Sequence, residues 1–168
     1  LLLKPDPALD ARLDAIIQRI AAAQQPDGYL NTYFTLTPAE KPWSNLRVRH
    51  ELYCAGHLIE AGIAHRRATG KTTLFDVAVR FADLIDRTFG PEPGKKRGYD
   101  GHEEIELALV RLWKVTGDDR HLALAKHFID ARGTRPYFFD EEARARGEAV
   151  ADTGAPRYEY YQAHVPVR

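Results

Sequence analysis

The amino-acid sequence predicts an all-α fold that forms part of a ring of helical hairpins. Apolar residues recur at helical spacing through most of the chain. A helical hairpin also repeats, because Thr69-Gly70 ahead of Phe81 recurs as Thr116-Gly117 ahead of Phe128 at a constant offset of 47 residues. Two helices joined by a glycine turn at such a period are typical of stacked hairpins, in an open solenoid or a closed double ring.

Two long loops favour the ring over the solenoid. They precede the second and fourth predicted helices and are rich in Tyr, Trp, His and Gly. Solenoid turns are usually short, whereas a ring with a ligand site at one end needs loops of this kind. We therefore predict an incomplete helical-hairpin toroid.

Each predicted helix has its own boundary signals. Asp6-Pro7 is a cap and first-turn pair that begins the first helix, which ends near Gln25. The turn Pro26-Asp27-Gly28 follows, and the aromatic segment 29–43, broken by two prolines, is predicted to be an ordered loop. Further helices are predicted over 48–68, from 72 or 73 to 90, over 102–115, over 119–132 and, as a short exposed helix, over 141–150.

The two ends of the sequence carry no natural boundary signals. The 168 residues contain no methionine, and the last stretch, from Tyr161 to Arg168, has neither a helix cap nor a polar tail. We therefore expect the chain to be a fragment of one α/α-barrel domain that is truncated at both ends.

Composition narrows the classes of partner. The chain has 24 Lys and Arg residues together and 24 Asp and Glu residues together. This balance predicts no positively charged surface for nucleic acid and favours a neutral ligand. No apolar run is long enough to span a membrane. Cys54 is the single cysteine, so no disulfide framework and no metal-ligand spacing are indicated. A lone thiol is compatible with a reducing compartment, which slightly favours the cytoplasm but leaves location open.

The candidate site lies where loops meet helices. His50-Glu51 begins one predicted helix, and His102-Glu103-Glu104 begins another. The glutamates suit first-turn stabilisation, whereas a charged imidazole is disfavoured at a helix N-terminus. Neutral imidazoles can donate and accept hydrogen bonds, and aromatic faces stack on sugar C–H groups. His50 and His102 are therefore predicted to bind a sugar, with a pocket lined by Tyr99, Trp43 and His164.

The remaining candidates have plainer interpretations. Cys54 is predicted to be a small buried hydrophobe and His57 a packed core residue. For His164, pocket lining and a structural role are equally open. Adjacent helical residues diverge by about 100°, so Glu103 and Glu104 cannot flank one glycosidic bond. Surface or helix-flank positions are predicted for His65, His121 and His127.

Four segments of the sequence resemble the β-L-arabinofuranosidases of glycoside hydrolase family 127. They are His50-Glu-Leu-Tyr-Cys-Ala-Gly-His57, Gly98-Tyr-Asp-Gly-His102, Pro26-Asp-Gly-Tyr-Leu30 and His164-Val-Pro-Val-Arg168. The resemblance covers nearly the whole chain. It implies an (α/α)6 barrel followed by β-sandwich domains, and a retaining hydrolase that releases β-L-arabinofuranose from plant-type glycans or glycoproteins. It also implies that the histidines at 50 and 102 bind the sugar.

The same resemblance implies that the catalytic groups lie outside this chain. The family uses a zinc-bound cysteine nucleophile, further Cys and Glu zinc ligands and a Glu acid/base, all downstream of the matched segment. No catalytic residue, metal ligand or cofactor is therefore assigned here. The chain would supply part of the sugar-binding wall and be inactive alone, while homo-oligomerisation of the full protein stays open.

Two other functions remain open at this stage. One is a helical-ring enzyme for another sugar, including an acidic sugar of pectin, for which Arg47 or Arg49 could supply the matching charge. The other is a non-catalytic helical-repeat binding scaffold, which the 47-residue period alone supports. A scaffold predicts a concave polar surface, whereas an enzyme predicts His and aromatic residues that converge on one end.

Overall fold

The computed structural model describes residues 4–37 and 39–150, and α-helix is the regular secondary structure throughout this part of the chain. The predicted all-α class is therefore confirmed. One isolated bridge joins Phe89 to Lys96. In chain order, the helices of the described part are α1 Pro7–Ala23, α2 Thr32–Leu36, α3 Leu46–Arg49, α4 Glu51–Thr69, α5 Thr73–Thr88, α6 Ile105–Thr116, α7 Asp119–Ala131 and α8 Phe138–Ala145.

The main helices pack in two layers. Helix α4 packs against α5 and α6, whereas α5 also contacts α1 and α7, and α6 contacts α7. Helix α5 presents one apolar face, and its Phe81 and Ile85 are fully buried. One layer thus contains α4 and α6 and the other contains α1, α5 and α7. This is the arrangement that hairpins have in part of a double ring.

The 47-residue repeat is visible in the hydrogen bonds of the two hairpin turns. Gly70 and Gly117 both adopt left-handed backbone conformations, with φ of 76° and 72°. Their N–H groups donate to the carbonyl oxygens of Arg66 at 2.8 Å and Trp113 at 2.7 Å. In each hairpin the preceding threonine, Thr69 or Thr116, donates its hydroxyl to the carbonyl four residues earlier. Both helices therefore end by the same αL capping geometry.

The structure corrects the start of two predicted helices. The predicted helix over 48–68 is divided at His50, whose φ of 56° ends α3 and precedes α4. The predicted helix from His102 begins instead at Ile105, so Glu103 and Glu104 precede its first turn. His102 stays in the loop because its N–H is bonded to the side chain of Asp100 rather than to a helical carbonyl.

The last predicted helix is also corrected. It runs from Phe138 to Ala145, earlier than the predicted 141–150, and one face of it is buried although its other face is exposed. Phe139, Glu142 and Ala143 are buried against the rest of the chain. The acidic composition of the segment concealed this burial, because Glu142 is paired with backbone donors inside the fold.

No helix within residues 4–37 and 39–150 is both long enough and apolar enough to span a membrane.

Candidate functional site

Two imidazole rings are stacked at the junction between the loops and helices α4 and α6. The ring centroids of His50 and His102 lie 4.5 Å apart, and the ring planes are 18° from parallel. Both side chains are half-buried. Tyr53 lies beside them, with its centroid 5.8 Å from His50 and 5.7 Å from His102. The two histidines that the sequence singled out are therefore brought together, although they are far apart in the chain.

His50 owes its position to an unusual backbone conformation. It is the single residue between α3 and α4, and its φ of 56° places it in the left-handed region. Its carbonyl oxygen accepts from the N–H of Cys54 at 2.9 Å, which is the first helical bond of α4. Histidine is among the non-glycine residues that enter the left-handed region most readily. The strain at this position must be supported by contacts around it.

Asp100 provides part of that support from the other loop. Its side chain is fully buried, and Oδ2 accepts from the N–H groups of Leu52 at 2.9 Å and Tyr53 at 3.1 Å. Oδ1 accepts from the N–H of His102 at 3.1 Å. Burial raises the pKa of Asp100 to about 6, and its three backbone hydrogen bonds oppose that rise. One carboxylate thus caps the N-terminus of α4 and closes the turn before α6.

Two glycines let the loop approach these helices closely. The N–H of Gly101 donates to the carbonyl of Leu46 at 3.0 Å, and a Cβ at Gly101 would overlap the carbonyl oxygen of Arg47. A Cβ at Gly56 would lie 2.9 Å from Cγ of Glu104. The loop before α6 therefore sits directly on α3 and α4, with no room for larger side chains at either position.

A second buried carboxylate holds the loop that precedes α3. Glu51 is fully buried, and its Oε1 accepts from the hydroxyl of Tyr29 at 2.5 Å. The N–H of Trp43 donates to both oxygens, at 3.1 and 2.9 Å. Burial raises the pKa of Glu51 to about 7, against the effect of these two donors. Since Trp43 has a φ of 60°, the carboxylate also stabilises a strained backbone residue.

A third carboxylate comes from far along the chain. Glu142, on α8, accepts from the N–H groups of Leu46 at 2.6 Å and Arg47 at 3.4 Å. The guanidinium of Arg146 lies 3.1 Å from Glu142 and donates to the carbonyl of Ser44. Burial raises the pKa of Glu142, although these partners oppose the rise. Glu142 therefore supplies the N-terminal capping acceptor that α3 lacks within its own segment.

A row of side chains on α4 continues from the imidazole pair. Tyr53 and His57 contact each other edge to face at 4.5 Å, and Nδ1 of His57 lies 3.5 Å from a carboxylate oxygen of Glu104. His57 is 54% exposed, so its prediction as a core residue is wrong. Cys54 is also exposed, which corrects its prediction as a buried hydrophobe. Both lie on the face of α4 that the described residues leave open to solvent.

The other predicted residues do not join the pair. Tyr99 is 1% exposed and packs on Phe138 and Phe139 in the core. Trp43 is 8% exposed, and its ring contacts are with core aromatic residues rather than with the imidazoles. Both side chains are buried in this structure, and their predicted role in lining a sugar pocket stays a prediction. His164 lies outside the described residues.

The surface or helix-flank positions predicted for two other histidines are wrong. His65 and His121 are buried on the core sides of α4 and α7. Burial lowers the pKa of His121, and its Nδ1 is 3.2 Å from the hydroxyl of Thr116. Their position follows from the helical spacing of the neighbouring core residues. His127 is half-buried on α7, and burial lowers its pKa too.

Two sizeable cavities lie away from the imidazole pair. One of about 630 Å³ lies between α7 and the loop after Phe89, and it includes His127. Another of about 520 Å³ is lined by Tyr29, Phe34 and Trp43. Neither of these two cavities is lined by His50 or His102.

The described residues do not form a site for zinc. Within 4–37 and 39–150, no three His, Cys, Asp or Glu side chains are grouped so that they could hold a metal ion. The described residues therefore do not supply the ligands for the zinc ion that the family resemblance implies.

The sequence did not single out three residues that shape the site. Tyr53 follows His50 by three positions, a helical spacing that places both on one face and could have identified it. Asp100 stands in an Asp-Gly turn two residues before His102, which is a local signal for a side-chain-to-backbone bond. Glu142 gave no such signal, since the backbone N–H groups that it binds are more than 90 positions away. Together, the two imidazoles and the phenol ring of Tyr53 offer donors, acceptors and an aromatic face, which suit a ligand with many hydroxyl groups.

Comparison with known proteins shows which proteins this chain is similar to. A sequence profile described as β-L-arabinofuranosidase, GH127 catalytic domain, matches residues 1–168. A non-reducing end β-L-arabinofuranosidase from Bifidobacterium longum subsp. longum is 43% identical over 170 residues, covering 98% of this chain and 26% of that protein. The crystal structure of a GH127 β-L-arabinofuranosidase from Geobacillus stearothermophilus has a TM-score of 0.88 and 52% identity, covering 97% of this chain and 26% of that one.

A second solved structure extends the comparison. It is described as a GH127 β-arabinofuranosidase, with a TM-score of 0.76 and 38% identity over 80% of this chain and 23% of that one. The chain thus spans about a quarter of the length of the relatives that it matches.

Proposed function

The chain belongs to the GH127 catalytic-domain family of β-L-arabinofuranosidases, and on that premise we propose that the protein containing it hydrolyses terminal β-L-arabinofuranosides. In this proposal, the chain supplies one wall of the sugar site, and His50 and His102 hydrogen-bond the sugar hydroxyls. The sugar would come from plant-type glycans or glycoproteins.

The stacked imidazole pair is the observation that carries this proposal. The ring centroids lie 4.5 Å apart, and the ring planes are 18° from parallel. An imidazole that is neutral can donate through one nitrogen and accept through the other, which matches the two hydrogen-bonding modes of a hydroxyl group. Tyr53 adds an aromatic ring beside both histidines. A rigid set of this kind limits the entropy lost when a sugar is bound and oriented.

The proposed reaction retains anomeric configuration, with the nucleophile, the acid/base and any zinc ligands supplied by the rest of the protein. Retention requires a nucleophile on one face of the sugar and an acid/base on the other. In the described part of the chain, the buried carboxylates of Glu51, Asp100 and Glu142 accept from backbone N–H groups. They are therefore occupied as structural acceptors rather than poised for proton transfer to a substrate.

An acidic sugar receives no support from the arginines near the pair. The guanidinium of Arg49 is bonded to Glu40 at 2.6 Å and lies over the ring of Tyr33. The hydrogen bond from Arg146 is the main cause of the lowered pKa of Glu148, and the charge of Arg47 contributes to the lowering. Both cations thus have acidic or aromatic neighbours within the chain. A neutral pentose remains the ligand class that the site favours.

The test is release of sugar by the full-length protein and two variants. With p-nitrophenyl β-L-arabinofuranoside, His50→Ala and His102→Ala are each expected to lower kcat/KM by about 10- to 100-fold, because each removes a hydrogen bond to the sugar. His127→Ala is the matched control, since it removes a half-buried imidazole far from the pair. It should change kcat/KM less than about twofold.

Circular dichroism must show that the variants are folded. Unchanged kcat/KM in both folded histidine variants would overturn their role as sugar ligands. Turnover of another glycoside, with none of the arabinofuranoside, would overturn the substrate. Failure of the wild-type protein to hydrolyse any glycoside, with zinc in the buffer, would overturn the enzymatic proposal in favour of the binding scaffold.

A further inference from the structure

We propose that Asp100 is a positioning residue for the sugar site, because it joins the two backbone segments that carry His50 and His102 and so fixes the distance between their rings. The inference rests on the proposed function, in which those rings bind the sugar. Asp100 itself is fully buried and contacts backbone rather than ligand.

The first part of the argument concerns the segment that carries His50. Oδ2 of Asp100 accepts from Leu52 and Tyr53, the second and third residues of α4, at 2.9 and 3.1 Å. These donors are free at the start of any helix, and a side chain immediately before the helix usually satisfies them. His50 occupies that capping position here but makes no side-chain capping bond. Asp100 therefore does for α4 what a local cap would do, which leaves the imidazole of His50 available for another role.

The second part concerns the segment that carries His102. Oδ1 of Asp100 accepts from the N–H of His102 at 3.1 Å and closes a tight turn through Gly101. Gly101 in turn donates to the carbonyl of Leu46 at the start of α3. The loop is thus bonded both to the helix before His50 and to the helix after it. His102 has little freedom to move relative to His50 while the three bonds to Asp100 and the bond from Gly101 persist.

Comparison with other aspartates in the chain shows what is particular to Asp100. Asp27 and Asp118 also accept from the N–H two residues later, at 2.9 and 3.0 Å, and close local turns. Neither bonds a backbone N–H of another helix, whereas Asp100 reaches donors 47 and 48 positions away. One carboxylate oxygen is enough to close a turn. Asp100 closes its turn with Oδ1 and uses Oδ2 to accept hydrogen bonds from α4.

The chemistry of the side chain defines the first variant. Asp100→Asn keeps the shape but has one acceptor oxygen, and its NH₂ group would face the N–H of whichever segment loses its acceptor. Asn can therefore satisfy α4 or His102 but not both. We expect kcat/KM for p-nitrophenyl β-L-arabinofuranoside to fall about 10- to 100-fold in the folded full-length protein, like the loss of one sugar ligand. Asp118→Asn, which disturbs the same kind of turn outside the site, should have less than about a twofold effect.

A double-mutant cycle separates positioning from general stability. If Asp100 acts through the imidazole of His102, then adding Asp100→Asn to His102→Ala should lower kcat/KM by less than about threefold beyond His102→Ala alone. The division of the loss between KM and kcat should also be the same for Asp100→Asn and His102→Ala. A role in stability alone predicts that the two losses multiply, because misfolding would reduce activity in either background.

The outcomes distinguish this inference from the function on which it rests. If His50→Ala and His102→Ala leave kcat/KM unchanged, the proposed sugar role fails. If they lower it, then an unchanged kcat/KM in Asp100→Asn, or multiplicative losses in the cycle, overturns the positioning role alone. Should Asp100→Asn not fold, Asp100→Glu takes its place in the same cycle. It keeps two acceptor oxygens but displaces them by one methylene. We expect it to lower kcat/KM in the wild-type background and to add less than about a threefold loss in the His102→Ala background.

Discussion

Gly101→Ala is expected to destabilise the protein by about 3 kcal/mol or more, because the added methyl group would overlap the carbonyl oxygen of Arg47. That oxygen belongs to helix α3, so it cannot move aside as the end of a flexible side chain could. Relief would require the loop to separate from α3, which would break the bond from Gly101 to Leu46. The thermal unfolding midpoint of the full-length protein measures the loss.

Gly70→Ala is the matched control for this substitution. A Cβ at Gly70 would meet no atom within 4 Å, although its φ of 76° is unfavourable for alanine. The expected cost is about 1 kcal/mol, from backbone conformation alone. If Gly101→Ala costs no more than Gly70→Ala, the close approach of the loop to α3 is not a feature of the folded protein.

Glu51→Gln is expected to make the protein more stable at pH 8 and to leave its stability nearly unchanged at pH 4. The folded-state pKa of Glu51 is about 7, above its ordinary value of 4.5, and burial is the main cause. A raised carboxyl pKa means that the folded protein binds the proton more tightly than the unfolded chain. The free energy of unfolding therefore falls as the pH rises from about 4.5 to about 7, by up to about 3 kcal/mol.

Glutamine removes this dependence without removing the contacts. Its carbonyl oxygen can accept from Trp43, and its NH₂ group can donate to the hydroxyl of Tyr29 once that hydroxyl rotates. Thermal unfolding midpoints measured from pH 4 to 8 should decline less steeply for Glu51→Gln than for wild type. Glu141→Gln, on the exposed side of α8, makes the same chemical change and should follow the wild-type curve. Parallel curves for Glu51→Gln and wild type would contradict the burial cost assigned to Glu51.

The sequence predicted those features that depend on local spacing. The cap at Asp6 and the glycines at 70 and 117 set helix ends through bonds within a few residues, and the structure has them as predicted. The pairing of His50 with His102 was also foreseen, because equivalent junctions of successive hairpins meet at one end of a helical stack.

Features that depend on contacts between distant segments were missed. The division of the second predicted helix at His50 creates two helix N-termini whose N–H groups need acceptors. Glu142 accepts at the start of α3 and Asp100 at the start of α4. Helical periodicity continues through residues 46–60 and contains no sign of this interruption. The burial of Tyr99 and Trp43 was also not predicted, because their place in aromatic loops does not show which other segments pack over them. The exposure of Cys54 and His57 likewise depends on which face of α4 other helices cover.

The hydrogen bond from the N–H of Leu46 to Glu142 affects the order in which parts of the chain can fold during synthesis. The two residues are 96 positions apart, so the ribosome must produce most of this chain before α3 acquires its acceptor. The hairpin of α4 and α5 can form early from nearby contacts, but the geometry around His50 cannot. Contacts between such distant positions form slowly because the intervening chain must first be ordered. The wall that we propose binds the sugar is therefore completed late, after the helices that support it.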